Sequence, residues 1–184
     1  PTRRKHGRVA ARGQSVNEYI HEGPRVIAAR PLTAEAFAPY GQVLQGTGPA
    51  TERKEFASRM QNGRPQAKPN MTYMKILPAN GRVLVRAVER HPFSNQTFVP
   101  LAGTRHLVAV CPSAPDGSPV VERLEVFVAS GSQAVNYDAN VWHAPRTALS
   151  APGEFVMFRW DDGGAQDTEL MALATPVAVE LAEL

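Results

Sequence analysis

From residue 71 onward the chain alternates short apolar and polar runs, and the helical spacing of apolar positions is missing. The runs cover residues 72–77, 82–89, 97–101, 106–111, 123–129, 133–137, 141–149 and 154–160. They are rich in Val, Phe, Tyr and Thr, which pack well on a pleated surface. Turn formers such as Ala79-Asn80-Gly81 and Asp116-Gly117 separate them. Regularly spaced strands with no helices between them predict an all-β sandwich or barrel. Upstream, Arg25-Val26-Ile27-Ala28-Ala29-Arg30 reads as a first strand. Thr33 is placed to cap a short helix over 34–38, with Glu35 in its first turn, where the helix dipole favours an anion. Pro39 and Gly41 end that helix, and Val43-Leu44-Gln45 forms a second strand. Residues 46–70 are polar and punctuated by Gly and Pro, as in Asn62-Gly63-Arg64-Pro65. They predict a long loop or a weak hairpin, and a loop of that length in a compact domain usually has a function. Residues 180–184 read as a short helix or a frayed strand.

Composition narrows the class. The chain has 184 residues, 43% of them hydrophobic and 20% charged, with a single cysteine, Cys111. No internal disulfide can form, and a reducing, cytoplasmic setting follows as the expectation. No apolar stretch reaches the length of a membrane span. The net charge of +3 is unevenly placed. Arg3, Arg4, Lys5, Arg8, Arg12 and Arg25 against Glu18 and Glu22 put +4 in residues 1–25, which leaves −1 for residues 26–184. The basicity therefore belongs to an extension over 1–24, and a single domain is expected over 25–184. The extension faintly resembles a transit peptide; its Arg3-Arg4 pair is followed by no apolar segment of an export signal. It reads as a solvated tail or as an arm docked on a neighbouring subunit. The body carries no basic stripe with interleaved aromatics, which argues against a nucleic-acid partner.

Two places carry chemistry. Val88-Glu89-Arg90-His91-Pro92 sets three ionisable side chains in a row where a strand is expected. On a strand Glu89 and His91 share one face and Arg90 takes the other. The other place is Val141-Trp142-His143-Ala144-Pro145, a lone histidine among apolar neighbours. Taken singly, the first suits a solvated edge and the second a core histidine.

Their spacing resembles that of the small barrels called cupins, whose first motif reads His-x-His, then Glu, then Gly, and whose second motif adds one more His. Here Glu89, His91, Gln96 and Gly103 reproduce the first spacing, with Glu in place of the first His and Gln in place of the Glu. Gly131, Tyr137 and His143 approximate the second. The resemblance implies a cupin-like double-stranded β-helix barrel in which Glu89, His91, Gln96 and His143 converge. Two imidazoles, a carboxylate and an amide can hold a divalent metal ion, with the neutral amide as the weakest ligand. The same four side chains could equally form a metal-free polar pocket. No motif for an organic cofactor is present.

A narrower match runs through residues 26–160. Glu89-Arg90-His91-Pro92-Phe93-Ser94-Asn95-Gln96-Thr97-Phe98-Val99-Pro100-Leu101 resembles the signature of ureidoglycolate lyases. So do Gly131-Ser132-Gln133-Ala134-Val135-Asn136-Tyr137, Val141-Trp142-His143-Ala144-Pro145 and the opening Pro31-Leu32-Thr33-Ala34-Glu35-Ala36-Phe37-Ala38-Pro39-Tyr40-Gly41. The resemblance implies a homodimeric enzyme that splits ureidoglycolate into glyoxylate and urea in allantoin breakdown.

Within that implication His91 or His143 is the base, and Glu89 orients a histidine or ligates a metal. Gln96, Arg90, Tyr137 and Lys68 are the candidates for binding substrate. Arg90 has a structural ion pair as its alternative role, and Tyr137 has core packing. The chain departs from the family in four places. Ala144 follows His143 as in fungal members, and Arg146 stands at a usually apolar position. The stretch 61–71 lacks an Arg-aromatic-His-Asp segment, for whose Arg Lys68 could substitute as a point charge. Asp167-Thr168-Glu169 only echoes a terminal Asn-Cys-x-Glu. A related cupin acting on another small hydroxy acid, or a non-catalytic binding cupin, is the alternative reading.

Overall fold

The computed structural model describes residues 23–46, 50–56, 59–102 and 105–181. The expectations for residues 1–22, Gly103 and residues 182–184 lie outside the described residues. Strands β1 (Val26–Ala28) and β2 (Arg30–Pro31) lead into helix α1 (Ala34–Phe37), which is followed by β3 (Gly41–Leu44). The helix forms where expected: Thr33 Oγ1 accepts from Ala36 N at 3.2 Å. Then come β4 (Lys68–Ile76), β5 (Leu84–Arg90), β6 (Gln96–Ala102), β7 (His106–Cys111), β8 (Glu125–Ala129) and β9 (Ala134–Tyr137). The last are β10 (Trp142–His143), β11 (Thr147–Ala148), β12 (Gly153–Asp161) and β13 (Glu169–Glu180).

These strands make two facing sheets that form a nearly closed barrel, an all-β, cupin-like fold. The larger sheet runs β1-β13-β5-β10-β7-β8-β2, with β11 beside β7, and the smaller runs β3-β9-β6-β12-β4. Side chains alternate across each strand, so one face of each sheet looks into the barrel. Val108 and Val110 of β7, Phe127 of β8, Val135 and Tyr137 of β9, and Phe155 of β12 share the interior core. Leu107, Ala109 and Cys111 belong to a second cluster, with Trp142 and Val177. Because both its faces are covered, all of β7 is buried and reads in sequence as one continuous apolar run. Phe37 of α1 packs edge-on against Tyr137, with ring centroids 5.7 Å apart, and against Phe127 at 6.4 Å. Burying such a ring contributes on the order of 2–3 kcal/mol. The helix is thereby fixed behind the tyrosine that backs the candidate site.

Gly41 opens β3 where no other residue fits. Its φ is +152°, and a Cβ there would lie 1.9 Å from the Asn136 carbonyl oxygen. That close approach lets β3 pair with β9 in the register Gly41 to Tyr137.

Three expectations need correcting. The single strand over 141–149 is two short ones, β10 and β11, because Pro145 cannot donate to a ladder. The loop expected over 46–70 ends earlier: β4 starts at Lys68 and pairs along its length with β12. No strand was expected over Glu169–Glu180, where β13, twelve residues long, pairs with β5 and, in parallel, with β1.

Candidate functional site

The site is assembled where β10 is wedged between β5 and β7. His143 is register-paired with Glu89 on one side and with Val110 on the other, so all three point into the barrel. His91 follows β5 two residues after Glu89, on the same face. The turn ahead of β10 is fastened to it, since Asn140 N donates to the His91 carbonyl at 2.7 Å. Asn140 itself has φ 68°, a conformation that asparagine tolerates better than most residues. Gln96 comes from the opposite sheet, register-paired with Tyr137 of β9.

Four of the expected residues are brought together. The ligand atoms of Glu89, His91 and His143 lie within 4.8 Å of one another and could hold a metal ion. His143 Nε2 is 3.0 Å from Gln96 Oε1 and 3.6 Å from Glu89 Oε1. The two imidazole centroids are 5.5 Å apart, and the Tyr137 ring stacks on His143 at 4.1 Å with an 11° tilt.

Hydrogen bonding settles the protons. His91 Nδ1 sits 2.6 Å from the Asp167 carbonyl oxygen, and His143 Nδ1 sits 2.9 Å from that of Val141. A carbonyl can only accept, so in each neutral ring Nδ1 carries the hydrogen and Nε2 presents a lone pair. Anchoring Nδ1–H on an oxygen is how metal-binding histidines are commonly oriented. His91 Nε2 is buried and has no hydrogen-bond partner. Turning the Gln96 amide over would give His143 a donor but would leave His91 Nε2 unsatisfied. Lone pairs of two imidazoles, a carboxylate and an amide facing one another are the donor set of a divalent cation.

Charge states follow from the surroundings. Glu89 is held below the usual carboxylate range, above all by its contact with His143, against the burial that would raise it. His143 is fully enclosed, and desolvation pushes it below the usual imidazole range despite Glu89. At neutral pH the pair is therefore a carboxylate beside a neutral imidazole. Burial likewise raises Tyr137, so its phenol keeps its proton.

The other expected residues stand apart. Arg90 takes the opposite face of β5: its Nε donates to Glu169 at 2.7 Å, its Nη1 to the Gly117 carbonyl at 2.7 Å, and it lies 4.7 Å over Trp142. It thus makes the structural ion pair that was its alternative role, away from the cluster. Lys68 is exposed at the start of β4, register-paired with Asp161 and two strands away from Gln96. Its face is that of Met74 and Ile76, which pack on the interior core, but β12 separates it from the strand that carries Gln96.

Two features were missed by sequence reasoning. Asp167 is a buried hub: its carboxylate accepts from Phe93 N at 2.8 Å, from Ser94 Oγ, and from Arg64 Nη2 at 2.9 Å, while its carbonyl holds His91. A small recess beside His91, with about 10 Å³ of space, is lined by Arg64, Ser94, Arg159 and Asp167 among others. The second feature is Arg146, whose guanidinium enters the barrel and lies 4.2 Å over the Phe98 ring. In sequence its only signal was a charge at a usually apolar position.

The family model described as Ureidoglycolate lyase matches residues 24–180. A protein named "Putative ureidoglycolate lyase" from Agrobacterium fabrum is 37% identical over 163 residues, covering 87% of this chain and 98% of its own length. One named "Ureidoglycolate lyase" from Schizosaccharomyces pombe is 32% identical, covering 83% and 94%. Another of that name from Azotobacter vinelandii is 33% identical, covering 77% and 87%. The family match spans both halves of the site, from Glu89 and His91 through Gln96 to His143, and with it the chain belongs to the ureidoglycolate lyase family.

Proposed function

We propose that this protein is a ureidoglycolate lyase, which splits ureidoglycolate into glyoxylate and urea in allantoin and purine breakdown by breaking a carbon–nitrogen bond, as amidine-lyases do. The observation that supports this most is the convergence of Glu89, His91, Gln96 and His143 in one buried cluster whose lone pairs all face inward.

The substrate carries a carboxylate, a hydroxyl and a ureido nitrogen on one carbon. An imidazole Nε2 takes the hydroxyl proton, and the O–H pair becomes the second bond of the new C=O. The C–N pair leaves with the ureido nitrogen, which takes the proton back from the imidazolium and departs as urea. No net proton is consumed. His91 is the first choice for this shuttle because its Nε2 has no partner. Proton transfer by a positioned group typically contributes about 10²–10⁴-fold. Glu89 next to His143 favours the positive charge that develops, and Gln96 offers its amide to the ureido group. Tyr137 holds the His143 ring flat against its own and presents a protonated hydroxyl.

Glu89, His91, Gln96 and His143 are also the residues that would hold a divalent cation, which when bound polarises the substrate's hydroxyl or ureido oxygen. The reading includes a cytoplasmic setting, in which the lone Cys111 stays a thiol, and a homodimer. Met71, Tyr73, Leu77, Val99 and Leu101 are exposed large apolar side chains on β4, β6 and the end of β4, and a second copy is the partner proposed for them. Among the described residues no helix is long and apolar enough to cross a membrane.

The test is release of urea and glyoxylate from racemic ureidoglycolate, with chelator-treated and metal-replenished protein in parallel. His91→Ala and His143→Ala should each lose most of the turnover while keeping a native melting transition. Near-wild-type turnover in either variant refutes that residue's role. Turnover abolished by chelation assigns the cluster to an ion, and turnover that survives chelation assigns the proton to an imidazole alone.

A further inference from the structure

Arg146 lies three residues beyond β10, past Pro145, and its side chain turns into the barrel. Its guanidinium carbon is 4.2 Å from the Phe98 centroid and 5.7 Å from those of Tyr137 and Phe155. Nη2 makes one long hydrogen bond, 3.4 Å, to the Tyr137 hydroxyl. Nε and Nη1 are shielded from solvent and have no hydrogen-bond partner. No carboxylate lies within ion-pair distance of it among the described residues, whereas Arg30, Arg59, Arg64 and Arg90 are each ion-paired.

A guanidinium in an aromatic box, with its end-on fork of Nη1 and Nη2 almost unspent, lacks only an anion. Aromatic faces favour a cation but provide no hydrogen-bond acceptor in the plane of the fork. A planar carboxylate does, through two parallel hydrogen bonds. The same tyrosine ring that Arg146 contacts is stacked on His143, and the Arg146 charge is felt at the Glu89 carboxylate, so the fork lies beside the histidine cluster. Lys68, exposed on β4, and Arg90 on the opposite face of β5 offer no comparable seat.

We infer that Arg146 binds the carboxylate of the substrate by a bidentate contact and makes the site selective for small 2-hydroxy or 2-oxo carboxylates over their uncharged counterparts. The inference rests on the lyase reading for the identity of the substrate but not for the class of ligand. Glyoxylate and glycolate are the anionic probes, and glycolamide is the uncharged control.

Calorimetry and thermal shift on the full chain should show Arg146→Gln binding glyoxylate and glycolate roughly 30-fold or more weakly than wild type. Its weak affinity for glycolamide should not change. Arg146→Lys, a point charge without the fork, should fall between the two. In turnover Arg146→Gln should raise KM more than it lowers kcat. Without ligand, Arg146→Met should melt no lower than wild type, because it removes a shielded cation held by no ion pair and by one long hydrogen bond; a structural arginine would give a clear drop. Equal affinity of wild type and Arg146→Gln for glyoxylate overturns the inference, even if turnover is normal. An Arg146-dependent affinity for glyoxylate in a protein that never releases urea upholds the inference and overturns the lyase reading instead.

Discussion

Replacing Asp167 by Ala or Asn should be among the most damaging single changes to this protein. Asp167 is 7% exposed and its partner Arg64 6%. Breaking a buried ion pair from one side costs about 3–5 kcal/mol, because the remaining charge is stranded. Here Arg64 keeps Asp162 on Nη1 at 2.9 Å and the Trp160 carbonyl on Nη2 at 3.0 Å, so the lower end of that range, about 3 kcal/mol, is expected. For a domain of this size that corresponds to a Tm drop of roughly 6–12 °C. Asn should be no gentler than Ala. It can still accept from Phe93 N, but its amide N–H then faces the donors of Arg64 and Ser94. Urea denaturation followed by circular dichroism measures the loss. The pair Arg64→Met with Asp167→Leu should recover part of it, since both charges then disappear. Because the Asp167 carbonyl also holds His91 Nδ1, turnover in Asp167→Asn should fall by more than its unfolded fraction explains. An Asp167→Asn protein within about 0.5 kcal/mol of wild type, the range of an ordinary surface change, would refute the hub.

Further outcomes can be checked separately. Gly41→Ala should destabilise by about 2 kcal/mol or more in the same denaturation assay, since its Cβ meets the Asn136 carbonyl; an unchanged midpoint would show that β3 can shift. Burial raises the Cys111 thiol to about 11 from 9.0, so iodoacetamide at pH 8 should label it only after unfolding. The folded chain keeps that proton while the unfolded chain gives it up, so stability is intact below pH 9 and falls as the pH rises towards 11. A Cys111→Ala protein should lose less over that interval, and rapid labelling of native protein would contradict the burial. The proposed homodimer predicts that wild type sediments as a dimer and that Met71→Glu with Leu101→Glu shifts it towards monomer; an unshifted dimer would move the interface elsewhere, and a monomeric wild type would refute the dimer.

The fold was largely legible because its strands obey local rules. Residues 106–111 read as a strand and are one, and Thr33 caps α1 as its position implied. β13 escaped because Glu169–Glu180 carries an irregular apolar pattern, with several exposed residues and a register break between Ala172 and Val177. Its partners, β5 and β1, are far away in sequence, and no local signal names them. At the site the alternation of a strand correctly put Glu89 with His91 and sent Arg90 away, towards Glu169. The position of Gln96 across the barrel depended on family spacing, since a residue's partner in a facing sheet leaves no periodic trace. Asp167 was invisible for a different reason. Its hold on His91 runs through a backbone carbonyl, which every residue has. Arg146 could be noticed as an odd charge, but only the Phe98, Tyr137 and Phe155 rings around it show that the charge lies inside.

The parallel pairing of β1 with β13 joins Val26 to Ala178 and Ala28 to Glu180. A nascent chain leaving the ribosome therefore exposes its first strand long before that strand's neighbour has been synthesised. Until Glu169–Glu180 emerges, β5 also lacks the partner on its outer side, beside the strand residue that carries Glu89. Open strand edges recruit other chains, and long-range pairings close slowly. A product truncated before β13 would keep every residue of the histidine cluster and still present two unpaired edges. Quality control during synthesis thus falls on the last dozen residues of the sheet, which touch the chemistry only through their neighbours.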